Sequence, residues 1–375
     1  MEFQENKEFT IDILKKLVTI NSVTGNESEI GNKIFEILKY LGVDEIEKQN
    51  VDNDRFNIIA RVRGDKKGPT TLLTGHLDTV PAGNGWETNP FVPVIKGDKV
   101  YGRGALDMKS GIAIILSTVK FAIENKDKMK GDILIALVPD EEATSLGITT
   151  LINNTINADF GIAAEPEYIP IIGSVGKLLI HVDAYGKTAH GCEPNKGINA
   201  IEEMARFLVS LGKIPLKEHH KIQKQPYVTL KIEGGFNQYS VIVPDYCFCL
   251  VNKHTVPTET IEYILEQMQE LVINMGLKAK FIFKIDEPYY EPYEIQTDLP
   301  QIEKLCSIYK DVIGKPMEFR YGTGVCDNNK LVPATGIPVI CLGAKGGGLH
   351  SENEWVSLKS MFEMNIIYQK YIFSF

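Results

Sequence analysis

The sequence has no CxxC pair, no internal repeat, no low-complexity tract and no apolar run near the ~18 to 20 residues of a membrane-spanning helix. Its six cysteines, Cys192, Cys247, Cys249, Cys306, Cys326 and Cys341, are scattered through 375 residues. Small secreted domains need a dense disulfide framework, so reduced thiols in a cytoplasmic protein are the simpler expectation. The opening MEFQENKEF carries acidic residues and lacks the apolar stretch of a secretory leader, which points to a soluble chain that is not exported. An excess of positive charge is missing too: 40 Lys and Arg face 49 Asp and Glu, a net charge of -9. Nucleic-acid binding rests on neutralising phosphates, so nucleic acid is not an expected partner of so acidic a chain. What is present is ordinary for a globular protein, 43% hydrophobic and 24% charged residues over a length that suits two domains or one with an insertion.

The order of periodic segments indicates the organisation. Helical spacing covers 8–18 and 27–41, and short apolar runs at 56–63, 71–75 and 132–138 read as strands. ILIALVP (133–139) is apolar at every position, as a strand covered on both faces is. GIAIILSTVKFAI (111–123) is too long for a strand and reads as a buried helix, and DFGIAAE brings a further strand up to Glu165. This alternation predicts an α/β domain with a mostly parallel mixed sheet between helices. From about residue 172 it gives way to strand 172–185, helix 197–212, strands 226–234 and 246–254, helix 258–275 and strand 278–286. That is the βαββαβ order of a ferredoxin-like α+β domain. Its first helix is expected to bury Ile198, Ile201, Ala205 and Leu208, and its second Ile261, Ile264, Leu265, Met268 and Leu271. The α/β pattern resumes with a helix at 299–312, a strand at 337–342 and a closing helix at 358–372. The expected architecture is a discontinuous α/β domain, 1–174 and 287–375, interrupted by a small α+β domain, 175–286.

His, Asp and Glu residues gather where apolar strands give way to polar turns, the place where open α/β sheets carry their sites. LLTGHLDTVP ends a strand with His76 and Asp78, both on one side because strand residues alternate. Such a pair binds a metal through one imidazole nitrogen and fixes its tautomer through the other, or is simply a satisfied His–Asp pair in a core. YGRGALDMKSG places Asp107 on a glycine-rich turn before the buried helix, as a ligand or as an N-cap. LVPDEEATSLG sets Asp140, Glu141 and Glu142 side by side; adjacent carboxylates repel one another, and either solvent or a cation relieves that. Glu165 follows a strand directly, and His350 comes after a run of glycines in GAKGGGLHSENEW. Two imidazoles and several carboxylates with no thiolate suit borderline or hard divalent ions such as Zn, Co or Mn. Two ions sharing one carboxylate, with one of the adjacent glutamates left as a base, is an arrangement this donor set allows.

In order and approximate spacing, HLDTVP, GRGALDMKSG, DEE followed by Gly147, Glu165 with Pro166, GKTAH and HSENE resemble a known family over essentially the whole chain. It is the family of zinc-dependent exopeptidases and amidohydrolases that includes acetylornithine deacetylase, succinyl-diaminopimelate desuccinylase, aminoacylase and glutamate carboxypeptidase. The resemblance implies two divalent ions, Zn with Co or Mn as substitutes, bridged by Asp107. His76 and Glu165 would complete one site, and Glu142 and His350 the other. It further implies that Glu141 is the general base for a metal-bridging water, that Asp78 orients His76, and that the peptide bond after Asp107 is cis. His190, in AYGKTAHGCEP of the inserted domain, would reach the active site of a partner subunit and stabilise the oxyanion. The inserted domain would thus serve as lid and homodimer interface. The implied reaction is hydrolysis of the amide bond of an N-acyl amino acid, with dipeptidase or carboxypeptidase action as the alternative. A metal-binding module without catalysis is the alternative from another class, and a free Glu141 argues against it. The implied partners are small acyl amino acids or short peptides, with no membrane.

The sequence departs from that family in three places. Val241 in SVIVPD stands where relatives commonly carry Asn, Asn252 and His254 stand in place of an Asp-x-Arg pattern, and Asn329 in GTGVCDNN stands where many have Arg. Guanidinium forks suit substrate carboxylates. Their loss passes that job to Lys345, Arg320 or the amides of Gly346 to Gly348, or else means a less anionic substrate.

Overall fold

The structure, a computed structural model, describes residues 3, 6–65, 68–154, 156–238 and 240–375. The chain forms two compact units, Met1–Gly173 with Ile295–Arg320 and Cys326–Phe375, and Ser174–Glu294 with Tyr321–Val325. Among the described residues no helix is long and apolar enough to cross a membrane.

The first unit is built on a mixed sheet. Its strand order is Glu45–Asp52, Arg55–Val62, Ile133–Val138, Thr71–His76, Phe160–Ala163 and Val339–Cys341, continuing to Ile171–Ser174. The four central strands, 133–138, 71–76, 160–163 and 339–341, are parallel, and the flanking pairs are antiparallel. Parallel strands all finish on one side of the sheet, so the turns after His76, Val138 and Ala163 open together. Strands 71–76 and 133–138 are buried at every position, which is why 133–138 reads as an unbroken apolar run. Helix Lys109–Glu124 is buried from Lys109 through Val119, packed against helices Lys7–Val18 and Leu358–Ile372 and against the sheet. A helix with neighbours on every side keeps no polar stripe. Each Ile or Leu it buries contributes about 1.5–3 kcal/mol, so the helix is a firm support for the turn at its N-terminus. Strand Glu45–Asp52 has no counterpart in the sequence reading, because EIEKQNVD is mostly polar and none of it is buried. It forms as an edge, held by its backbone pairing with strand 55–62.

The second unit pairs strands Gly176–Tyr185, Tyr227–Gly234, Tyr246–Thr255 and Lys280–Tyr290 with helices Ala200–Ser210 and Ile261–Asn274. The sheet order is 227–234, 246–255, 176–185, 280–290, antiparallel throughout, which is the ferredoxin-like arrangement. Both helices lie on one face, with Met204, Phe207, Ile264 and Met268 packed on Ile180, Val182, Cys249 and Val251. The face of the first helix differs from the sequence expectation: Ile201 and Ala205 are exposed, and Ala200, Met204 and Phe207 are buried. The Asn199 side chain accepts the amides of Ile201 and Glu202, so the helix starts at Ala200 and its bulkiest side chains turn to the sheet. The strand expected at 172–185 is two strands, Ile171–Ser174 and Gly176–Tyr185.

Candidate metal centre

Strand 71–76 delivers His76 at its last position, where the ring is 2% exposed. His76 Nδ1 lies 2.9 Å from the carbonyl oxygen of Asp78. A carbonyl only accepts, so the neutral ring carries its proton on Nδ1 and turns the Nε2 lone pair the other way. Nε2 there meets acceptors, Asp107 Oδ1 at 3.1 Å and Glu165 Oε2 at 3.9 Å. The second oxygen of Asp107, Oδ2, lies 3.0 Å from His350 Nε2, which is 3.1 Å from Glu142 Oε1. One carboxylate is therefore shared by two imidazoles, each with a glutamate beside it. Lone pairs facing one another at these distances need a positive charge between them, a proton or a metal ion.

Two glycines permit this convergence. A Cβ on Gly111 would come within 2.1 Å of the Ala164 carbonyl oxygen. Its absence lets the helix that follows Asp107 start against the strand end that carries Glu165. A Cβ on Gly75 would meet Met108 Cε at 2.3 Å, and Met108 Sδ lies 3.0 Å from the His76 amide nitrogen. The Asp107–Met108 peptide bond is cis.

Asp78 faces both the His76 ring and the glutamate loop. Its carboxylate accepts the amides of Glu141 at 3.1 Å and Glu142 at 3.0 Å and the Thr24 hydroxyl at 2.8 Å. Its Oδ1 lies 3.6 Å from His76 Nδ1, so the carbonyl at 2.9 Å and the carboxylate of one residue both face that nitrogen. Asp140, at φ 74°, organises the same loop: it accepts the amides of Thr144 and Leu146 at 3.2 and 3.3 Å and Arg55 Nη1 at 2.7 Å. Arg55 in turn holds Glu27 at 3.2 Å and Asp52 at 2.7 Å. Among the described residues the Glu141 carboxylate takes no hydrogen bond and stays uncommitted.

The charges are crowded. Burial raises Glu141 well above the usual carboxylate range, opposed by His76 and reinforced by Glu165, Asp327 and Glu142. Glu165 is raised in the same way, by burial and then by Asp107, again against His76. Burial also works to raise Asp107, but hydrogen bonds to His350 and His76 hold it well below that range. His350 is pushed up to about 10 by its hydrogen bonds to Asp107 and Glu142. Asp327, beside helix Asn328–Thr335 and hydrogen-bonded to Ser145, is pushed up to about 7 by burial. Sequence reasoning passed over Asp327, Arg55 and Thr24; an acid at a helix start and isolated polar residues carry no signal of their own. So many acids around two imidazoles fit divalent cations, and oxygen and imidazole donors without thiolate fit Zn, Co or Mn.

Residues 72–374 match the model of peptidase family M20/M25/M40. The chain belongs to this family. Over 374 residues it is 27% identical to succinyl-diaminopimelate desuccinylase of a Sulfurovum species, covering 96% of this chain and 98% of that one. Over 342 residues it is 29% identical to acetylornithine deacetylase of Aliivibrio fischeri, covering 85% of each. Its fold is that of the aminopeptidase PepT of Bacillus cereus, with a TM-score of 0.80 at 22% identity over 98% of both chains. It is also that of the Bacillus subtilis YXEP protein, described as a dinuclear metal binding peptidase of family M20, with a TM-score of 0.72 at 16% identity over 98% of both chains. As a member of the M20 family the chain is a hydrolase of amide bonds.

Relative to the family motif, the structure gathers His76, Asp107, Glu142, Glu165 and His350 in one cluster and fixes the backbone of Glu141 beside it. The other singled-out residues stand elsewhere in their units. His190, in the second unit, is exposed, and its Nδ1 accepts the Cys192 amide at 3.2 Å with Cys192 Sγ at 3.0 Å. Its neutral ring therefore keeps a proton on Nε2, ready to donate. Lys345 Nζ stands 4.7 Å from the Tyr168 ring centre, at a cavity of about 420 Å³ shared with Tyr309 and Glu318. Arg320 Nη1 lies 3.5 Å from Glu167 Oε2, and Gly346–Gly347 forms a two-residue strand on Trp355–Ser357. A further group, His219, His220 and Glu294, has ligand-type atoms within 4.8 Å of one another. His219 Nδ1 accepts the amides of Lys221 and Ile222 at 3.3 and 3.1 Å, so its Nε2 bears the proton and donates to Glu294 at 3.1 Å. A nitrogen that donates is not a ligand.

Proposed function

We propose that the chain is a cytoplasmic dinuclear metallohydrolase that removes the acyl group from an N-acyl amino acid. The observation that carries this is the Asp107 carboxylate, with an imidazole nitrogen 3.1 Å from one oxygen and another 3.0 Å from the second. His76 and Glu165 would hold one ion and His350 and Glu142 the other, with Asp107 between them. Two divalent cations bound there, Zn with Co or Mn as substitutes, supply polarisation of the amide carbonyl and a water acidic enough to react near neutral pH. Glu141 takes the proton of the attacking water and passes it to the leaving nitrogen. His190 of the partner subunit, with its proton on Nε2, would donate to the oxyanion.

Substrate carboxylate binding is assigned to Lys345, Arg320 and the amides of Gly346 and Gly347. The present partners of both cations are weak enough to give up: a cation–π contact at an exposed site is worth about 0.5–1 kcal/mol and an exposed ion pair about 0–1 kcal/mol. Desuccinylase and deacetylase relatives along most of the chain support a deacylase rather than a peptidase. The test is a panel of N-acetyl and N-succinyl amino acids against dipeptides and tripeptides, with the protein loaded with Zn or Co. Acyl amino acids should give the higher kcat/KM. Preference for peptides would replace deacylase by peptidase, and no hydrolysis of either set would leave a binding module.

The second unit is assigned as the homodimer interface. Strand 227–234 is a sheet edge, and Val228, Leu230 and Ile232 on it are 45%, 56% and 47% exposed, with Ile201 exposed on the adjacent helix. An apolar edge left in water is an association site, and a second copy covers it. Replacing Leu230 and Ile232 together by Asp should convert a dimer to a particle of single-chain mass in light scattering, with metal content kept. A double variant with the wild-type mass, or a wild type that is already monomeric, removes this edge from the account.

A further inference from the structure

We propose that Glu354 is the positioning residue that sets the shared carboxylate of Asp107 and ties to it the segment bearing His350, a role that rests on the metal-centre reading above. Glu354 is 0% exposed. Its Oε1 accepts the amides of Leu106 at 2.7 Å and Asp107 at 3.0 Å, and its Oε2 accepts the Gly104 amide at 3.0 Å and Arg103 Nη1 at 2.6 Å. Its own carbonyl accepts the Gly102 amide at 3.0 Å. The turn that ends in Asp107 thus closes around one side chain. Just beyond Glu354, Trp355 and Val356 pair with Tyr101 and Val100, so the segment after His350 is zipped to the strand that leads into the Asp107 turn. Arg103, 2% exposed, extends the network to the carbonyls of Pro81 and Ala82 at 3.2 and 3.3 Å, in the loop that follows Asp78. Three ligand-bearing loops, those of His76, Asp107 and His350, are therefore referred to one buried carboxylate.

Both oxygens of Glu354 are used twice, which decides what each substitution does. Gln offers one oxygen and one NH2, and the NH2 must face either two amides or a guanidinium. Asp is one methylene shorter and cannot span both donor pairs. Neither change touches a metal ligand. The experiment is Zn titration by calorimetry of wild type, Glu354→Gln and, as a control, Leu14→Ala, which opens a cavity in the core helix Lys7–Val18, together with circular dichroism of each. Glu354→Gln should stay folded and lose about 10- to 100-fold in Zn affinity, the range found for groups that orient metal ligands. Leu14→Ala should lose thermal stability and keep the wild-type affinity. Wild-type affinity in Glu354→Gln, or an equal loss in Leu14→Ala, overturns the role. Should Glu354→Gln not fold, Glu354→Asp is read against the same limits, and failure of both to fold makes Glu354 a folding residue and overturns the proposal. A wild type that binds no Zn at all sinks the metal-centre reading itself, a result distinct from unchanged affinity in the variant.

Discussion

Glu141→Gln is expected to keep both metal ions and lose about three orders of magnitude or more in kcat, the upper part of the ~10²- to 10⁴-fold range of general acid–base catalysis. The substitution is isosteric, and the Glu141 amide bond to Asp78 is a backbone contact that it leaves in place. What disappears is the carboxylate that the proposed ligand set leaves over and that no hydrogen bond engages among the described residues. The measurement is elemental analysis of the purified variant alongside kcat on the best acyl amino acid of the panel. Activity within about tenfold of wild type would be too small a loss for a general base and would move that role to another group.

The second large effect is on metal binding. Asp107→Asn removes the charge that faces both imidazoles, so ion content should fall below two per chain and hydrolysis should be lost with it. Full occupancy in the variant would break the bridging assignment. The same site carries a pH dependence whose sign follows from His350, pushed up to about 10 by Asp107 and Glu142. Metal and proton compete for its nitrogen, so metal affinity should rise with pH up to about 10. Without metal, the protonated ring contributes stability that is fully present below its unfolded pKa of about 6.5 and is lost as pH rises through about 10. Asp107→Asn should weaken that slope in chelator-treated protein, read as the thermal midpoint against pH.

Some of this was legible locally. Helix Lys109–Glu124 and strands 71–76 and 133–138 stand out because burial on every side leaves them rich in apolar residues with no polar face. The βαββαβ unit was legible because amphipathic helices and alternating strands each repeat with their own period. Strand Glu45–Asp52 was not, since an exposed edge is held by backbone pairing and leaves no mark on side-chain polarity. The burial of Met204 and Phe207 in place of Ile201 and Ala205 was not either, because two overlapping apolar stripes compete on one helix and the sheet chooses between them.

The sequence by itself determined the donor set: which imidazoles and carboxylates exist, that each stands at a strand end or in a glycine-rich turn, and hence which metals suit them. Only the tertiary structure decided what each donor does. Asp78 binds the glutamate loop with its carboxylate and His76 with its carbonyl; Asp140 answers to Arg55; Lys345 lies on Tyr168; Glu354 gathers the Asp107 turn. The physical reason is that these contacts join residues far apart in the chain through single hydrogen bonds or ring contacts. Their direction and distance come from how the strands and turns pack, and nothing in the neighbouring sequence of either partner encodes them.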